Sequence, residues 1–159
     1  MAEPLRVLFI CTGNLCRSPL ASAMLEAELR ARDLQGRVLT ASAGTHARHG
    51  QECPPPLIEV ATTYGLDMAA HRSRRFDDED FYEHDVLVAL DLGHLDHLNF
   101  MRPRNATAQQ VLLLSGVDEA GVIEVPDPYG RGPRDYARAA SLIQLGVRHL
   151  LTRLLPPGA

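Results

Sequence analysis

The chain has no lysine and no tryptophan, and only three cysteines in 159 residues. All sixteen of its basic residues are arginine, scattered apart from Arg72, Arg74 and Arg75, and the net charge is −4. That balance argues against general nucleic-acid binding, although a phosphate site needs only local positive charge. Cys11, Cys16 and Cys53 make no disulfide framework for a chain of this size and lack the paired spacing of a zinc site. The sequence also lacks a linker, an internal repeat, a low-complexity tract and an apolar run long enough to span a membrane. Met1-Ala2-Glu3-Pro4 opens no cationic segment followed by a long apolar stretch, so no secretory signal is recognisable. These absences predict one globular domain over residues 1–159, with a substantial core and a reducing, cytoplasmic home.

Nothing in the chain calls for a metal or a cofactor. His94 and His97 stand three apart on a predicted helix, but no cysteine or third ligand completes a metal set, so they read as solvated helix histidines. Asp77-Asp78-Glu79, with Asp80 after it, reads as a solvated helix start, where the helix dipole favours negative charge.

What the chain does contain is an octet, Cys11-Thr12-Gly13-Asn14-Leu15-Cys16-Arg17-Ser18, between a strand-like and a helix-like run. Leu5-Arg6-Val7-Leu8-Phe9-Ile10 is apolar, β-branched or aromatic, and short, which predicts a buried strand. After the octet, Pro19 suits the start of a helix, and Leu20, Met24, Leu25 and Leu29 recur on one helical face. A strand-to-helix turn of this kind aims backbone N–H groups and a positive dipole end at one point, which suits a phosphate and a thiolate. Gly13 lets the loop curl closely, and Arg17 offers a planar fork for two phosphate oxygens. Cys11 is then the candidate nucleophile and the octet the candidate phosphate-binding loop.

Strand-like and helical runs alternate along the rest of the chain, the pattern of a parallel sheet covered on both faces. Four strands are expected near residues 6–10, 37–42, 86–90 and 110–114. Helices are expected near 19–32, 55–64, 92–100 and 135–154, with a shorter one at 77–83, and Pro156 and Pro157 end the last. In such α/β folds ligands bind beyond the carboxyl ends of the strands, where the loop after the first strand lies.

The octet and its setting resemble the low-molecular-weight protein tyrosine phosphatase family, whose signature is Cys, five residues, Arg, then Ser after the first strand. Cys11, Arg17 and Ser18 match it. The resemblance covers nearly the whole chain and implies a flavodoxin-like, three-layer α/β domain with a four-stranded parallel sheet. Val125-Pro126-Asp127-Pro128-Tyr129-Gly130 looks like the family's general-acid loop. Asp127 would protonate the departing phenolate, whose free pKa is about 10, and then deprotonate the water that attacks the phosphocysteine. By the same resemblance Asn14 is held by Ser42 and His71, and Ser18 hydrogen-bonds the sulfur, although serine there also has the chemistry of a helix N-cap.

The implied partners are tyrosine-phosphorylated proteins, with inorganic phosphate or other oxyanions as product or inhibitor. One departure concerns the substrate. Where many members carry an aromatic wall after Ser42-Ala43-Gly44-Thr45, this chain has His46-Ala47-Arg48-His49, which puts Arg48 or a histidine opposite Tyr129. Such a slot either holds phosphotyrosine less tightly or favours acidic residues beside it. A protein-arginine phosphatase of the same family carries threonine where this chain has Leu15, and a thiol-linked arsenate reductase needs cysteines beyond Cys53, of which there are none. A non-catalytic phosphate-binding module has no use for Asp127. Cys16, five residues from Cys11 in one curled loop, is a candidate redox partner for it.

Overall fold

The computed structural model describes residues 3–157. Met1 and Ala2, part of the segment read for a secretory signal, lie outside the described residues, as do Gly158 and Ala159 at the end of the expected domain. The elements in chain order are β1 Leu5–Cys11, α1 Arg17–Ala31, β2 Val38–Gly44, α2 Pro55–Thr63, α3 Asp80–Glu83, β3 Val86–Ala89, α4 Leu92–Met101, β4 Gln109–Leu112 and α5 Pro133–Leu154. A short 3₁₀ turn, Asp118–Ala120, follows β4.

The four strands form one parallel sheet in the order β2-β1-β3-β4. β1 is central, and Val7, Leu8, Phe9 and Ile10 are all fully buried because both of its faces are covered. Successive residues point to opposite sides, so Val7 and Phe9 join the core beneath α1, α2 and α5, while Leu8 and Ile10 join the core with Phe81 of α3 and Leu98 of α4. From β1 the chain crosses to β2 on one side, then returns past β1 to β3 on the other. The carboxyl end of β1 is therefore the point at which strand order reverses, where this class of sheet opens a crevice.

α5 closes one face. Its buried stripe of Tyr136, Ala139, Ile143, Val147 and Leu150 follows helical spacing. Gly146 lets the helix approach the sheet edge, since a Cβ there would lie 2.5 Å from Leu113 Cγ. Among the described residues no helix is long and apolar enough to cross a membrane.

Three local expectations need correction. α1 begins at Arg17 rather than Pro19; Cys16 takes the N-cap position with no side-chain cap, and Pro19 falls third, where its missing N–H has no intrahelical partner to lose. Ser18 is inside the helix and is not its cap. Asp80 is not solvated: it is 2% exposed, and its carboxylate accepts from Arg74 Nη1 and Nη2 at 3.1 and 2.9 Å and from the Asp77 N–H at 2.9 Å. The cause is α3, which turns Phe81 into the core and takes its neighbour Asp80 inward to Arg74. His94 is likewise buried, at 3% exposure, and belongs to the site.

Candidate active site

The loop between β1 and α1 curls around the mouth of a cavity of about 350 Å³. Cys11, Thr12, Gly13, Leu15, Cys16 and Arg17 of the loop line it, together with His46, Arg48 and Gln51 from the segment after β2 and Asp127 and Tyr129 from the segment before α5. The sequence-predicted residues Cys11, Arg17, Arg48, Asp127 and Tyr129 thus converge on one space. Ser18, Asn14, Ser42 and His71 stand behind the loop.

The loop carbonyls are engaged from outside. Cys11 O accepts from the Thr45 N–H and Thr12 O from the His46 N–H, each at 2.9 Å, and Asn14 O faces His71 Nε2 at 2.8 Å. Carbonyls drawn outward in this way turn the opposing N–H groups inward, the arrangement of an anion-binding nest. Since Asn14 O can only accept, His71 donates through Nε2, as either the neutral or the protonated ring can; burial lowers its pKa, while the bond to Asn14 O works to raise it.

Asn14 is the scaffold of the loop. Its backbone takes the left-handed conformation at φ 57°, one that Asn tolerates better than most residues. Its Nδ2 donates to Ser18 Oγ and Ser42 Oγ, both at 2.9 Å, and its Oδ1 accepts from the Arg74 N–H at 2.9 Å. The buried Asp80–Arg74 pair therefore anchors the segment that holds Asn14. Gly44 completes the fit: a Cβ there would lie 2.5 Å from Thr12 O and 2.8 Å from Asn14 N, so the end of β2 must be glycine for the loop to lie against it.

Cys11 Sγ is 2.9 Å from Ser18 Oγ, and both side chains are buried. Ser18 Oγ accepts from Asn14, and its single proton has two acceptors in reach, the sulfur and Ala43 O at 3.3 Å. A thiolate at Cys11 would be an acceptor for that proton. Cys16 Sγ donates to Tyr136 Oη at 3.9 Å, and burial pushes its thiol up to about 12, leaving it protonated at neutral pH. All three cysteines are free thiols.

Arg17 is 3% exposed, and its guanidinium is held by two elements far apart in sequence. Nη1 donates to Asp91 Oδ2 and to Val125 O, both at 2.8 Å, while Nη2 lies 3.7 Å from Asp127 Oδ2. Asp127 is half exposed beside the mouth, and its Oδ1 accepts the Tyr129 N–H at 3.1 Å, an Asx turn that fixes the carboxylate. A guanidinium fork, a sulfur and a carboxyl lining one cavity can bind a phosphate monoester, attack its phosphorus and protonate the departing oxygen.

Two site residues were missed by the sequence reading. Asp91 caps α4, accepting the His94 N–H at 2.9 Å on Oδ1, while Oδ2 holds Arg17. His94, read as a surface histidine, packs beneath Thr12 with Nε2 2.9 Å from Thr12 Oγ1. The signal available was an Asp followed three residues later by a polar side chain at a helix start, the pattern of a capping box. Among the described residues no group of three or more His, Cys, Asp or Glu is placed to hold a metal ion.

Comparison with known proteins agrees with this geometry. Residues 6–156 match the family model for low molecular weight phosphotyrosine protein phosphatase. A low molecular weight protein-tyrosine-phosphatase of Streptomyces coelicolor is 38% identical over 152 residues, covering 92% of this chain and 91% of that protein. The crystal structure of a low molecular weight phosphotyrosine phosphatase from Vibrio cholerae O395 superposes with a TM-score of 0.87 at 32% identity, covering 98% of this chain and 99% of the other. The arginine phosphatase YwlE superposes with a TM-score of 0.85 over 97% of this chain and 98% of its own, but at 23% identity, a likeness of fold alone. The family match spans nearly the whole chain and falls on the loop, the acid segment and the sheet that joins them, so this chain belongs to the low-molecular-weight phosphotyrosine protein phosphatase family.

Proposed function

We propose that this chain hydrolyses phosphotyrosine in proteins through a phosphocysteine intermediate at Cys11. The observation that carries this reading is the convergence, around one cavity, of Cys11 Sγ with Ser18 Oγ at 2.9 Å, the buried Arg17 fork and the Asp127 carboxyl. The Cys11 thiolate attacks phosphorus, the bond to the phenolic oxygen breaks, and Asp127 gives that oxygen its proton. Arg17 and the loop amides hold the phosphoryl oxygens as their charge shifts. Water then attacks the phosphocysteine, Asp127 takes its proton, phosphate leaves, and the sulfur departs as a thiolate hydrogen-bonded to Ser18.

Tyr129 and Arg48 both line the cavity, and both are exposed, which supports a slot with one aromatic and one cationic wall. An aryl ring lies against the tyrosine, while the guanidinium meets carboxylates of residues flanking the phosphotyrosine. Leu15, also at the slot, supports an aromatic phosphoester over phosphoarginine. Three free thiols, one of them the nucleophile, fit a reducing cytoplasmic setting. The test is side-by-side hydrolysis of an aryl phosphate and a phosphoarginine by wild type and Cys11→Ser. Turnover of the aryl phosphate alone, lost in Cys11→Ser while vanadate still binds, supports the reading. Equal rates in the two proteins, or preference for phosphoarginine, refutes it.

A further inference from the structure

His94 lies outside the cavity yet touches three groups that shape it. Its ring is buried under the loop, with Nδ1 facing the start of α4 and Nε2 facing Thr12. The two ring nitrogens have different partners. Nδ1 accepts the Asp91 N–H at 3.2 Å, the return half of the capping box, and lies 3.1 Å from Asp91 Oδ1, which already accepts the His94 N–H at 2.9 Å. A neutral imidazole whose Nδ1 is an acceptor carries its proton on Nε2. At Nε2 the nearest polar atom is Thr12 Oγ1 at 2.9 Å, with Arg17 Nη2 farther away at 3.5 Å.

A threonine hydroxyl that accepts from a histidine has its own proton left to give. Thr12 is exposed and lines the cavity with Cys11, so that proton is free to turn toward an anion bound there. We propose that Thr12 is a side-chain hydrogen-bond donor to the phosphoryl group, and that His94 is the positioning residue that sets the direction of its hydroxyl. The loop thereby gains a donor beyond its backbone amides and Arg17. The opposite tautomer would make His94 accept the Thr12 proton and turn the hydroxyl's lone pairs toward the anion. Desolvation holds the His94 pKa down at about 4, which keeps the ring neutral through the working range. The same carboxylate that orients His94 through the helix cap holds Arg17 through its other oxygen, so Asp91 aligns both donors at once.

This inference rests on the phosphatase reading, and the experiment separates the two. Aryl phosphate hydrolysis is measured for wild type, Thr12→Val, Thr12→Ser, His94→Leu, His94→Gln and the Thr12→Val, His94→Leu double variant, with Cys11→Ser as control. Loss of a hydrogen bond to a charged group lowers kcat/KM roughly ten- to hundred-fold in Thr12→Val. Thr12→Ser, which keeps the hydroxyl, recovers most of that loss. His94→Leu falls by a similar factor and His94→Gln, whose amide can still donate, falls less. In the Thr12→Val background His94→Leu adds little, because its effect runs through the hydroxyl. The ¹⁵N shifts of the His94 ring in the wild-type protein give a reading independent of any variant, with Nε2 protonated and Nδ1 not. Wild-type kinetics in Thr12→Val, additive losses in the double variant, or a proton on Nδ1 overturns the inference. Undiminished hydrolysis in Cys11→Ser, or no hydrolysis in wild type, instead overturns the phosphatase reading, and the ring shifts still decide the His94–Thr12 bond.

Discussion

Replacing Asn14 with alanine removes more than its size suggests. Three side-chain hydrogen bonds disappear, to Ser18, to Ser42 and from the Arg74 N–H. At about 0.5–1.5 kcal/mol each, these amount to roughly 1.5–4.5 kcal/mol. Alanine also tolerates the left-handed backbone at φ 57° less well than asparagine, which adds on the order of 1 kcal/mol. A loss of about 2.5–5.5 kcal/mol is thus expected, a urea midpoint lower by roughly 2 M for an m-value near 2 kcal/mol/M. The catalytic loss should exceed what unfolding explains, because the freed loop no longer presents its amides and Ser18 loses the donor that orients its hydroxyl. Urea denaturation, with steady-state hydrolysis measured well below the midpoint, separates the two effects. A destabilisation under about 1 kcal/mol together with wild-type kcat/KM would refute the idea that Asn14 holds the loop in shape.

Other perturbations probe different parts of the site. Asp127→Asn should slow phosphotyrosine hydrolysis by roughly two to four orders of magnitude, and less for esters whose leaving group is already a weak base; a deficit independent of leaving group would make Asp127 structural. Arg48→Trp should lower KM for a small aryl phosphate and weaken the preference for acidic phosphopeptides, whereas unchanged kinetics on both would remove Arg48 from substrate recognition. The folded pKa of His94, about 4, lies below its usual 6.5, so the unfolded chain binds the proton more tightly. Stability is then full above pH 6.5 and falls as pH drops toward 4, by about 3 kcal/mol from this group. His94→Gln should flatten that slope in a pH series of urea melts, and an unaltered slope would assign it to other groups.

The sheet and its helices were legible because each signal was local. The unbroken apolar run of Val7–Ile10 could only be a strand buried on both faces, and the spacing of Leu20, Met24, Leu25 and Leu29 only a helix. The loop was legible for the same reason, since Cys11 through Ser18 are consecutive. What escaped were side chains whose roles depend on partners distant in sequence. Asp80, turned inward by α3, bears on the site only because Arg74 beside it gives its backbone N–H to Asn14, 60 residues away in the chain. His94 has the look of any helix histidine until β3 brings it under Thr12, 82 residues away in the chain. The need for glycine at position 44 likewise appears only when the loop lies against β2. The site of Pro19 was misread because a proline fits the third helical position as readily as the first.

Rapid quenching of the enzyme during hydrolysis of an aryl phosphate, followed by mass spectrometry of the peptide that carries Cys11, is the most direct measurement. With an aryl phosphate whose leaving group is a weak base, Asp127→Ala slows the second step more than the first and allows the intermediate to accumulate. One phosphoryl group on Cys11, formed at the rate of the aryl alcohol burst and absent from Cys11→Ser, is the expected result. A full burst with an unmodified Cys11, or the phosphoryl group on another residue, would contradict the covalent role of this cysteine.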